Sequence, residues 1–171
     1  MARRITAITT ITPTATADTT NLVDATYPFL VRGGAATQQI LIWEISLTGQ
    51  AASTSSPTFM ILAADSTVGT GTNTMGTGQT DAPVNLSASA LSSAAITGNS
   101  NATTKPQRSS TLHLQNCSLN AYGGTYFWRA NQAIECVQLV GASANTGEVS
   151  LSAFTGGTPG ALGGHLIYEP I

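Results

Sequence analysis

The stretch Gln38–Asp65, QQILIWEISLTGQAASTSSPTFMILAAD, decides the reading of this chain. Two apolar runs flank a connection rich in Gly, Ser, Thr and Pro. Residues of equal parity on a strand point to the same side of a sheet. In the first run Leu41, Trp43, Ile45 and Leu47 share one parity, while on the other Ile40 and Ile42 give way to Glu44, Ser46 and Thr48. This predicts a strand with one wholly apolar face and one that turns polar halfway along. The second run, Phe59–Ala64, is apolar on both parities and predicts a strand covered on both sides. In a two-sheet sandwich each strand is expected to keep one wet face. A strand without one is expected to be covered by the N-terminal arm or by another subunit, with Met60 and Leu62 at that contact.

Outward from this pair, the rest of the chain reads as further short strands. Tyr27–Arg32 ends at Gly33-Gly34. Thr111–Leu119 changes parity midway, with Leu112 and Leu114 on one side and Cys117 and Leu119 on the other, which a β-bulge reconciles. In Thr125–Ala130, Tyr126 and Trp128 share the expected core face, and Phe127 and Arg129 look outward. Ala133–Val140, Glu148–Phe154 and His165–Tyr168 complete the set. Val84–Ile96 carries a weak helical pattern through Leu86, Ala90, Leu91, Ala94 and Ala95. About eight or nine strands separated by turn-rich links indicate an all-β antiparallel sandwich, jelly-roll-like, with an immunoglobulin-like sandwich as the alternative. Residues 1–26 read as an extended N-terminal arm, with a short strand over Ile5–Ile11. Residues 27–171 read as one domain, with a long loop insertion at about 66–108.

Composition restricts the function classes. The chain has 171 residues, of which 8% are charged, and a formal net charge of −2. Its six Lys and Arg form no basic stripe able to neutralise a run of phosphates, so direct nucleic-acid binding is not expected. No window approaches the roughly 20 apolar residues of a transmembrane helix. The start, MARRITAITTITPTATA, is broken by Thr too often for a signal peptide, so synthesis in a cytoplasm is expected, with Cys117 and Cys136 as free thiols. A neutral surface sheds little hydration when it packs against another protein, which favours life inside an assembly.

No residue cluster announces a reaction, and no cofactor or metal is expected. His113 and Cys117 lie four apart, about 13 Å along a strand, too far to share one ion. There is no G-x-S-x-G elbow. Glu44 and Glu135 are the only carboxylates inside strong strands, and a glycosidase would need such a pair across a cleft. The glycines between Gly69 and Gly78 lack the Gly-Lys-Ser/Thr ending of a phosphate loop. Tyr122, Phe127 and Glu135 are the candidates if the chain stacks sugars.

The MARRIT start with its Thr-rich arm, the strand pair QQILIWEISLTGQAASTSSPTFMILAADSTVG, the Lys-poor makeup and the Gly-rich C-terminal segment form a set. Together they resemble the small jelly-roll decoration (cement) proteins and related head proteins of tailed bacteriophages. That resemblance implies a non-enzymatic virion protein, made in the host cytoplasm, that sits on the outer capsid surface and bridges major capsid subunits. It implies self-association, as a trimer in preference to a dimer. Arg3, Arg4, Ile5, Ile8 and Ile11 in the arm, Met60 and Leu62, Met75 in the Ser66–Asp81 loop, and Phe127 with Arg129 are the expected contact residues. A carbohydrate- or receptor-binding sandwich of a virion is the alternative.

Overall fold

The fold follows from how the central strand β3 (Gln39–Gly49) is bent. In the computed structural model, which describes residues 5–11, 29–33, 35–52, 57–68, 80–83, 96–97, 106–153 and 161–171, β3 has two halves with different partners. Residues Gln39–Ile42 pair with β9 (Val137–Val140), and Glu44–Thr48 pair with β8 (Thr125–Arg129). Trp43 is left between them. On the other side, β11 (Leu162–Pro170) shifts register at the same place, pairing Ile167 with Glu44 and Tyr168 with Ile42. Trp43 is therefore the extra residue of a β-bulge, and a one-residue slip turns every later side chain to the opposite face. The core face is Ile40, Ile42, Ile45 and Leu47. This corrects the expected face of Leu41, Trp43, Ile45 and Leu47: Leu41 and Trp43 point away from the core cluster, and the Trp43 indole Nε1 donates to Glu169 Oε2 at 2.7 Å.

Two antiparallel sheets pack face to face. Besides β3, β8, β9 and β11, the strands are β1 (Ile5–Ile11), β2 (Phe29–Arg32), β4 (Pro57–Thr67), β5 (Thr80–Pro83), β6 (Ile96–Thr97), β7 (Gln107–Asn120) and β10 (Glu148–Ala153). The first sheet has the order β5-β1-β11-β3-β8, with β9 also beside β3; the second has β6-β2-β10-β4-β7. The pairing has a simple logic. Lay β1–β4 against β7, β8, β10 and β11 as one long hairpin, and the partners are β4 with β7, β3 with β8, β2 with β10 and β1 with β11. Successive pairs fall in alternate sheets, and β11·β3 and β10·β4 stitch them together.

The core lies between the sheets. Met60, Leu62, Leu119, Val149 and Leu151 meet Ile42, Ile45, Leu47, Leu166 and Tyr168, and Tyr126 and Trp128 pack against them. Met60 and Leu62, expected at a subunit contact, are thus buried in the inter-sheet core of one chain. The other face of β4 is closed as well, with Ile61 and Ala63 buried within that chain. So β4 is covered on both sides, as its composition predicts, without a second subunit.

Three further segments differ from the sequence reading. Ile5–Ile11, expected as a short strand of an extended arm, is that strand, β1, but it pairs inside the first sheet, with Ile5, Ala7 and Ile11 in register with Tyr168, Leu166 and Leu162. Two pieces of the expected insertion, β5 and β6, are strands; the weak helical pattern lies outside the described residues apart from Ile96, which is in β6. Ala133–Glu135 is a 3-10 turn and not strand, because Glu135 folds back as its cap: Oε2 accepts from the backbone N–H of Asn131 at 2.8 Å and of Gln132 at 3.3 Å. The expected bulge in β7 is present, with Leu62 opposite Gln115, Ala63 opposite His113 and Leu114 between.

At the end of β3 the chain passes under the β7–β8 turn. Gly49 N–H donates to Gly124 O at 2.8 Å, and Ala51 N–H donates to Ala121 O at 2.9 Å. A Cβ on Gly49 would sit 2.2 Å from Ala121 O. Gly49→Ala is expected to cost about 1–3 kcal/mol, the usual range for overpacking. A urea midpoint unchanged from wild type would show instead that the turn yields freely.

Candidate interaction face

The two lateral margins of the sandwich are built differently. One is closed by short strands: four-residue β5, which contains Asp81 and Pro83, and two-residue β6. Short strands, charge and proline are the usual means of blunting a sheet edge. The other margin is formed by β7 on one sheet and β8–β9 on the other. β7 is 14 residues long and carries no charged residue from Ser109 to Asn120.

Exposed apolar side chains gather on this second margin. Among the described residues the large exposed hydrophobics are Leu112, Leu114, Tyr122, Phe127, Ile134 and Val140, together with the C-terminal Ile171. Six of these seven fall in the continuous run from β7 to β9. Leu114 stands out because it is the bulge residue. Leu112 lies in a wider irregularity, where Arg108 pairs with Asp65 and His113 with Ala63, and Ser109 Oγ accepts from the Leu112 N–H at 3.1 Å. Ile134, 90% exposed, is held up by the Glu135-capped turn. Phe127 is 61% exposed because it alternates with the core-packed Tyr126 and Trp128.

Phe127 borders a polar cluster on the outer face of the first sheet. Ser46 pairs with Phe127 on one side and His165 on the other; two residues along, on the same face, Glu44 pairs with Arg129. Glu44 Oε1 lies 2.6 Å from His165 Nε2, and Glu44 Oε2 lies 3.6 Å from Arg129 Nε. The Arg129 side chain is 61% exposed while that of Glu44 is only 12% exposed. The cluster therefore presents a guanidinium and an imidazole with the carboxylate recessed between them. Beneath the margin, Tyr126 OH donates to Gln115 Oε1 at 3.1 Å, tying the two sheets together. Burial pushes the neighbouring Cys117 thiol up to about 11, so it stays protonated and unreactive at neutral pH. Cys117 and Cys136 are both free.

Of the residues singled out by sequence, Phe127 and Arg129 lie on this face. Glu135 does not oppose Glu44; it is committed to its turn. Tyr122 is exposed in the β7–β8 turn. Ile5, Ile8 and Ile11 are register positions of β1, far along the sheet from this margin. Arg3, Arg4 and Met75 lie outside the described residues. The Glu44–His165 pair was not anticipated, since its members are 121 residues apart and no local pattern links them. Glu135 had a usable signal, the Gln132-x-x-Glu135 spacing of a capping box. Among the described residues no three His, Cys, Asp or Glu gather as a metal site, and no helix is long and apolar enough to cross a membrane. The chain matches no protein-family model, no curated protein and no solved structure.

Proposed function

We propose that this chain is a structural docking protein of a virion, a capsid decoration protein that binds the outer surface of a phage head and bridges major capsid subunits. The observation that carries the reading is the gathering of exposed apolar side chains along one margin of a sandwich whose surface is poor in charge. The strand order supports it further: pairing as one long folded hairpin across two sheets is compatible with a jelly-roll-like sandwich, an architecture used in viral capsid and lectin domains. Docking then works by burying Phe127, Ile134 and their neighbours, with Arg129 at the rim. The same neutral margin serves self-association into a homo-oligomer.

Binding driven by apolar burial depends little on ionic strength, because few charges are involved. Phe127→Ala combined with Ile134→Ala is expected to weaken retention on purified particles by about 10- to 100-fold, the range for losing central interface anchors, with the melting temperature unchanged. Raising salt is expected to leave wild-type retention nearly constant. Steep loss of retention with salt, or full retention of the double variant, would overturn the docking mechanism. Light scattering of the purified chain reads the oligomer directly, and a monomer at all concentrations would remove the self-association part.

One observation favours a second reading: an exposed aromatic, Phe127, stands beside the Glu44–His165 pair. Exposed rings next to carboxylates stack and hydrogen-bond sugars. A glycan array decides this reading, and an array without hits counts against it.

A further inference from the structure

The face of the second sheet that turns away from the core carries a buried row of charge. Arg32 on β2 pairs in register with Glu148 on β10. Val149 pairs with Ala64, so the next step of that ladder brings Glu148 to Asp65 on β4. Asp65 in turn pairs with Arg108 on β7. Four adjacent strands thus contribute Arg32, Glu148, Asp65 and Arg108 in one cross-strand line. Asp65 and Glu148 are fully buried, and Arg108 is 1% exposed. Glu148 Oε2 is 3.4 Å from Arg32 Nη1, and Ser150 Oγ donates to Asp65 Oδ1 at 2.6 Å. Asp65 Oδ2 is buried and accepts no hydrogen bond from the described residues. The ladder register therefore sets the two carboxyl side chains beside each other on adjacent strands.

Two carboxylates side by side without water repel each other, and a single proton between them removes both the repulsion and the orphaned oxygen. We propose that Asp65 and Glu148 share one proton, which makes the row a buried latch across four strands whose grip weakens as the pH rises. The environment agrees: burial first, then the neighbouring Glu148, pushes Asp65 from 3.8 up to about 9, against the opposing pull of the Ser150 hydrogen bond and of Arg108. Among the described residues, the charged groups facing the pair are Arg32 from β2 and Arg108 from β7. The β6 strand and the Gly141–Gly147 turn, whose Asn145 N–H donates to Asp65 O, contain no titratable residue. His113 lies further along β7, paired with Ala63.

The direction of the linkage follows. Between about pH 4 and 9 the folded chain holds a proton that the unfolded chain has released. The folded-to-unfolded ratio therefore falls as pH rises through that window, by up to tenfold per pH unit for one proton, and levels off above it. Asp65→Asn places a permanent amide donor against Glu148 and keeps the acceptor for Ser150. Urea denaturation of the full chain from pH 5 to pH 9 is the test. Wild type is expected to lose stability relative to Asp65→Asn at each step upward. Parallel pH profiles for the two proteins would overturn the proposal. Should the variant fail to fold, carbon-13 NMR of the wild-type side-chain carboxyls decides. One buried carboxyl still protonated at pH 7 supports the latch, and all carboxyls ionised there contradicts it.

Discussion

A chain lacking residues 1–11 is expected to lose its cooperative unfolding transition. β1 is an interior strand of the first sheet: all seven of its residues pair with β11, and four of them pair with β5 on the other side. Removing it strips β5 of its sheet partner and opens one side of β11 from Leu162 to Tyr168, a stretch that carries the buried Leu162, Leu166 and Tyr168. The loss combines a strand's worth of ladder hydrogen bonds with exposure of core positions, and exceeds the roughly 4–5 kcal/mol that marks an exceptional single change. Calorimetry of the truncated chain checks this. A sharp transition near the wild-type temperature would show that the segment is a separable arm, as its Thr-rich composition suggests when read alone. The distinction matters for function, since a segment needed for folding is not free to reach across to a neighbouring subunit.

Leu62→Ala is expected to cost about 2–5 kcal/mol, and Met60→Ala a similar amount. Both side chains lie between the sheets at or near zero exposure. Truncating either removes the buried methylenes and leaves a void that close-packed neighbours fill only partly. Urea denaturation of the purified variants measures this directly, and at low protein concentration it separates core from interface. A core residue costs the same at every concentration, whereas an interface residue costs less as subunits dissociate. A loss under about 1 kcal/mol, or one that vanishes on dilution, would return these residues to a subunit contact. Phe127→Ala serves as the counterpart, with a stability change within about 0.5 kcal/mol because its ring is already in solvent.

The fold was legible wherever alternation was unambiguous. Tyr126 and Trp128 against Phe127 and Arg129 read correctly because Arg129 marked the outward parity. The bulge at Leu114 was legible for the same reason, as the apolar parity visibly switches. The bulge at Trp43 was not. Ile40, Leu41, Ile42 and Trp43 are all apolar, so no parity marks where the slip occurs; the handover from β9 to β8 places it. β1 was visible as a strand, but its partner β11 lies at the far end of the chain, and nothing local indicates that pairing. The buried row was invisible for a deeper reason. Arg32, Asp65, Arg108 and Glu148 are isolated in sequence, and only the registers of three separate ladders bring them into line. The exposed margin was half legible: Phe127 and Arg129 emerged from alternation, while Leu112 and Leu114 looked like core.

As a proposed capsid decoration protein, this chain is expected to be part of a particle. Gradient purification of intact virions from the source of the sequence, followed by quantitative gel analysis and cryo-microscopy, tests it most directly. The chain is expected to sediment with the particles at a fixed ratio to the major capsid protein, to survive a high-salt wash, and to appear as density on the outer shell with the β7–β9 margin buried. Recovery of the chain only from the soluble fraction, with particles intact and bare, would contradict it.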